Sequence, residues 1–134
     1  MKKEIKNNGS VLVVVVFAIA LLTAFVAGML QLNAEQIQLM RNEIYAAQSV
    51  AIAEAGLADA FSQLRTNSSW TSGFSNKSFG GGSYTVTVTG SLPSLIVQST
   101  GTSPQSFIAR VNAQITVGTT SPYVIRIDKL RINE

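Results

Sequence analysis

The stretch SVLVVVVFAIALLTAFVAGMLQL, residues 10–32, decides the fold. From Val11 to Leu32 only Thr23, Gly28 and Gln31 interrupt its apolar character, and no charged residue stands between Lys6 and Glu35. About 20 apolar residues rising ~1.5 Å each cross the ~30 Å hydrocarbon core of a bilayer. A helix buried inside a water-soluble domain rarely needs so many, so the segment reads as a membrane span, with a fully buried core helix as the alternative. Lys2, Lys3 and Lys6 precede the run, whereas Arg41 alone follows closely and is set against Glu35 and Glu43. Lysines stay inside, which predicts a single-pass protein with its amino terminus in the cytoplasm and its body outside.

Outward from that stretch, the composition narrows the chemistry. A chain of 134 residues has room for one compact domain beside an anchor. It holds neither cysteine nor histidine, so disulfides, thiol nucleophiles, histidine bases and the common zinc sites are excluded, and no cofactor is implied. An enzyme would need paired carboxylates, yet Asp128 and Glu134 are the only acids beyond Asp59. The net charge of +3 is concentrated in residues 1–9; without them seven Lys/Arg face six Asp/Glu, leaving +1. Bulk charge of that size makes the chain a poor candidate for nucleic-acid binding.

The apolar segment has three possible fates. A secretory signal peptide needs a small-x-small site at its far end, but Ala18-Ile19-Ala20 lies inside the run and Leu32-Asn33-Ala34 offers a bulky leucine. An uncleaved signal anchor fits the hydropathy equally well. The third fate is cleavage before the run, on the cytoplasmic side, at Gly9-Ser10.

The helical pattern continues past Leu32. No proline occurs from Asn33 to Leu64, and Ala, Leu, Glu, Gln and Met dominate, so one helix is expected from about Val11 to Leu64. Ile37, Met40, Ile44, Ala47, Ala51, Ala55 and Ala58 recur at three- and four-residue steps, with Glu35, Gln38 and Glu43 elsewhere on the circumference. This predicts an amphipathic helix over 33–65. Within it stands the run Ala53-Glu54-Ala55-Gly56-Leu57, followed by Ala60 and Leu64. Its small residues suit close packing on a sheet or in a filament core. Glu54 reads as part of a solvated face rather than as half of a partner-specific ion pair, because exposed pairs contribute only ~0–1 kcal/mol.

The short lysine-containing leader ending in Gly9, the apolar run after it, and the AEAGL segment at 53–57 together resemble type IV pilins and pseudopilins, and most closely the amino-terminal domain of PilX-type minor pilins. Arg41, Tyr45 and Ala46-Ala47 also sit where that family has similar residues, and the resemblance covers about residues 7–65. It implies a 1–9 prepilin leader, cut after Gly9 by a prepilin peptidase, and amino-terminal methylation at Ser10. It further implies a 10–32 transmembrane and filament-core helix, with other pilins or pseudopilins, an assembly platform and, indirectly, its ATPase as partners. Major pilins carry glutamate at the fifth mature position, which here is Val14. That departure implies a minor or tip-proximal subunit of a type IV pilus or secretion pseudopilus. A permanently anchored extracytoplasmic binding module is the competing reading.

Beyond Thr66 the composition shifts to Ser, Thr, Asn and Gly. Residues 66–82 read as a loop carrying Trp70, Phe74 and Phe79, either a binding surface or a covering for the sheet. Gly80-Gly81-Gly82 lacks the spacing and lysine of a phosphate loop. Strands follow. Tyr84, Val86 and Val88 alternate with threonines; Leu95 to Ser99 forms a second strand after a turn through Pro93; a turn over Gly101 to Ser106 leads to Phe107–Val117. In the last strand, Tyr123 to Ile132, Ile125 and Ile127 are out of phase with Leu130 and Ile132, so either a bulge near Asp128-Lys129 restores the register or the strand ends there. Arg126, Lys129 and Arg131 make a basic edge, for polyanions or for protection against unwanted pairing. The expected architecture is α+β: a long amino-terminal helix on a 66–134 antiparallel sheet domain of about four strands.

Overall fold

A computed structural model describes residues 8–133 and shows one helix followed by one sheet. Helix α1 runs from Asn8–Thr66, and the five strands are β1 (Phe74–Phe79), β2 (Gly82–Ser91), β3 (Ser94–Thr102), β4 (Ile108–Val117) and β5 (Ile125–Asn133). All neighbours pair antiparallel in the order β1-β2-β3-β4-β5, a simple meander. The chain divides into two units, the first ending at Arg41 and the second beginning at Asn42.

The first unit is helical throughout its described part and has no core. Every large apolar side chain from Val11 to Leu32 is exposed, by between 47% and 68%. The buried-helix alternative therefore fails for this segment, which is long and apolar enough to span a membrane. Residues 1–7, most of the expected leader, lie outside the described residues.

The second unit contains the core. The carboxy-terminal part of α1 lays Ser49, Ile52, Ala53, Gly56, Leu57, Ala60 and Leu64 on the sheet, all buried. They meet Tyr84, Val86 and Val88 of β2, Leu95 and Val97 of β3, and Val111, Ala113, Ile115 and Val117 of β4. The period-two alternation foreseen for β2 and β4 is what points these side chains inward. Around the end of α1 the chain turns tightly. The Asn67 amide donates to the Gln63 carbonyl at 2.8 Å and the Ser69 amide to Asn67 Oδ1 at 3.0 Å, while the Tyr123 amide returns to the Arg65 carbonyl at 3.2 Å. Carbonyls that every helix end leaves without an internal partner are thus partly satisfied.

Three expectations need correction. The buried stripe is not the expected one: Ala47, Ala51 and Ala58 are exposed and Ala55 is half-buried. Ile44 is exposed too. This part of the helix carries apolar or small residues on two opposite faces, and periodicity alone does not say which the sheet takes. The sheet takes the one that mixes glycine and alanine with Ile52, Leu57 and Leu64, which fills a close-packed layer better than alanines do.

The second correction concerns residues 66–82, which are not all loop, since β1 adds a fifth strand. Phe79 pairs with Gly82 across a two-residue turn in which Gly80 and Gly81 have φ of 58° and 81°. Positive φ at both positions is the tight hairpin geometry that favours Gly-Gly. Asn76, φ 45°, is held at a bulge in β1, its amide donating to Thr85 Oγ1 at 3.2 Å.

Third, Gly101 and Thr102 extend β3 rather than opening a turn. In β5 the bulge alternative holds. Ile127 pairs with Ile115 and Lys129 with Gln114, leaving Asp128 as the extra residue, after which Leu130 and Ile132 pair with Ala113 and Val111. Leu130 and Ile132 thereby return to the helix-facing side of the sheet.

Candidate functional site

Gly9 and Ser10 both lie in α1, in its first turns, and both are exposed. A Cβ built on Gly9 meets nothing within 4 Å, so its glycine character is not demanded by packing in this chain. Val14 follows one turn later and is exposed like its neighbours. Thr23 is the polar interruption whose hydroxyl has an internal partner: it donates to the Ile19 carbonyl at 2.8 Å, so it carries no unsatisfied donor into an apolar environment.

The Ala53–Leu57 run sits in the second unit, where α1 crosses the sheet. Ala53, Gly56 and Leu57 are buried, Ala55 is half-buried and Glu54 points to solvent. Glu54 forms no ion pair among the described residues. Gly56 is required by contact. A Cβ there would overlap Ser99 Oγ and come within 2.8 Å of the Tyr84 ring. Opposite, a Cβ on Gly101 would overlap the backbone of Ser49 and Ala53. Two glycines, one on each surface, let the helix backbone approach β3. The motif is therefore a helix–sheet seam, with its small residues used inward.

Beside the seam lies a polar clamp that the sequence reading did not identify. Asp59 Oδ2 accepts from Tyr84 Oη at 2.6 Å and from Lys77 Nζ, tying α1 to β2 and to the edge strand β1. Lys77 Nζ stands 4.6 Å over the Phe74 ring, which stacks tilted against Trp70 at 5.1 Å. Lys77 and then Tyr84, donating to Asp59, hold its carboxyl below the usual carboxylate range. The bond to Asp59 raises the Lys77 ammonium, and burial raises the Tyr84 hydroxyl. Trp70 and Phe74 of the expected loop thus serve packing and the clamp, while Phe79 is exposed. Asp59–Lys77 spacing carries no sequence periodicity, because the two meet only through the β1–β2 hairpin.

On the opposite sheet edge, Asp128 accepts from Thr116 Oγ1 at 2.6 Å and from Arg126 Nε at 2.7 Å, and these bonds depress its pKa. Asp59 and Asp128 are therefore each engaged locally, and no cluster of acids able to hold a metal exists among the described residues. Glu134 lies outside them.

No family model matches this chain, and no curated protein or solved structure does either.

Proposed function

We propose that the chain is a membrane-stored structural subunit that assembles through α1 into a filament of the type IV pilus or secretion-pseudopilus kind, as a minor or tip-proximal component. The observation that carries this reading is the apolar surface from Val11 to Leu32, exposed around the whole helix circumference and covered by nothing among the described residues. Such a surface is stable in lipid, or among like helices, and not in water. In this reading Lys2, Lys3 and Lys6 hold the amino terminus in the cytoplasm. A prepilin peptidase cuts between Gly9 and Ser10, Ser10 is methylated, and assembly exchanges lipid for helix contacts. The partners are other pilins or pseudopilins, with an assembly platform and its ATPase acting from outside the subunit.

Intact-mass spectrometry of the protein from native membranes tests it. A chain beginning at methylated Ser10 is expected. A chain beginning at Met1 would sink the pilin pathway and favour an uncleaved, anchored binding module.

A further inference from the structure

Two connections of the sheet gather where α1 enters the second unit. Gln48 Nε2 donates to the Gly80 carbonyl at 3.2 Å, which ties the β1–β2 turn to the helix. The Tyr45 ring meets Phe107, in the β3–β4 connection, at 5.9 Å between centroids. That connection is closed on Ser103. The Ser103 amide donates to the Phe107 carbonyl at 2.8 Å, its carbonyl accepts from the Ser106 amide at 2.9 Å, and its hydroxyl accepts from the Phe107 amide at 3.1 Å. Phe79, Ile108 and Asn133 end their strands in the same rim.

The rim joins exposed apolar side chains to unpaired cations. Ile44 is 61% exposed, Ile108 53%, Phe79 50% and Ile132 46%. Arg110 stands ~7 Å along β4 from Ile108, and Arg131, opposite Asn112, lies one row further in. Both arginines are exposed, and neither has an acidic partner among the described residues. Lys77, next to the β1–β2 turn, is engaged with Asp59. Glu43 is the one acid on α1 between Asn42 and Val50.

We propose that this rim docks on the anionic phospholipid headgroups of the bilayer that α1 crosses, seating the second unit on the membrane until assembly lifts it away. The inference rests on the membrane reading of Val11 to Leu32. The tether selects this end of the sheet. Leu32 and Asn42 are ten residues apart, so even a fully extended connection keeps the rim within about 36 Å of the apolar run. Peripheral attachment combines two weak signals, apolar side chains at the headgroup boundary and cations facing anionic lipid. Each cation near such a surface contributes about fivefold. Arg110 and Arg131 are set back from Ile108, and their long stems carry the guanidinium groups forward along the sheet to phosphate oxygens.

The chain contains no cysteine, so Gln105→Cys in the rim and Thr120→Cys in the β4–β5 connection, both at exposed positions, each create a single site for a fluorescent label. The full-length protein is reconstituted into phosphatidylcholine vesicles with or without phosphatidylglycerol, and a lipid carrying a nitroxide on its headgroup serves as quencher. In anionic vesicles the label at 105 should be quenched and the label at 120 should not. Arg110→Gln with Arg131→Gln should lower the ratio of docked to free protein about 25-fold, at about fivefold for each arginine. Ile108→Ser should lower it as well, while leaving its salt dependence unchanged. Salt near 1 M, where the Debye length falls to ~3 Å, should release the rim. Equal quenching of the two labels, the same quenching without phosphatidylglycerol, or a double variant that docks like the parent would each overturn the proposal. Protein that fails to float with the vesicles would overturn the membrane reading itself. Floating protein with an unquenched label at 105 would leave that reading standing and remove the docking.

Discussion

Asp59 accepts two hydrogen bonds in the second unit, from Tyr84 and from Lys77, and its side chain is only 28% exposed. Its folded carboxyl titrates below the ordinary value of 3.8, so the clamp stabilises fully above that pH and is lost as pH falls through the lowered folded value. Lys77 mirrors this at the other end. Its raised pKa means that the contribution is present below 10.5 and disappears as pH rises through the folded value. Asp59→Asn should therefore cost about 1 kcal/mol at pH 7, allowing for the solvent around Lys77. The melting temperature of the variant should also lose less than the parent's between pH 5 and pH 3; parallel loss in both would show that the clamp does not couple to folding. Gly56 is the second telling residue. Gly56→Ala gains about 1 kcal/mol of helix propensity but forces Ser99 and the Tyr84 ring to shift, a strain of about 1–3 kcal/mol, so net destabilisation is expected in denaturant titrations. Neither role was legible beforehand. The AEAGL run announced close packing, but what its glycine approaches depends on which strand lies beneath it.

Helix α1 from Asn42 onward has two faces of small and apolar residues, and the sheet uses one. Ala47, Ala51 and Ala58 remain on the exposed side. In the proposed filament this is the side available to a neighbouring helix. Ala51→Arg should change unfolding stability by less than about 0.5 kcal/mol, as surface substitutions do, and yet reduce incorporation into filaments. Normal incorporation, measured by immunoblotting sheared filaments, would remove this face from assembly. Ile52→Ala, on the opposite face, should cost about 2–5 kcal/mol because it opens a cavity against the sheet. Among the strands, β2 and β4 were legible because each has one buried and one wet face, which writes itself as alternation. Strand β1 was not: its pattern is almost wholly exposed, and the Gly80-Gly81 turn that signals it lies in a stretch whose Ser, Asn and Gly content is that of a loop.

The two units have opposite relations to water. The second has a continuous core of its own, built from α1, β2, β3 and β4. A fragment beginning at Asn42 should accordingly fold and stay soluble without detergent, with a cooperative melt followed by circular dichroism. The full chain should require detergent or lipid, because Val11 to Leu32 is exposed and meets no packing partner among the described residues. Aggregation of the fragment would mean that the second unit depends on the first for its stability.

By itself the sequence determined the apolar span, the continuation of one helix beyond it, the shift to strands after Thr66 and the phase conflict in β5. Each is a matter of local composition or period, set by the hydrophobic effect and by backbone geometry along a few consecutive residues. Tertiary structure decided which helix face meets the sheet, that Asp59 meets Lys77 and Tyr84, and that one extra residue at Asp128 brings Arg110, Arg126, Lys129 and Arg131 onto one face of the sheet. These depend on register and on contacts between residues far apart in the chain. Sequence spacing does not encode such contacts until the strands have paired.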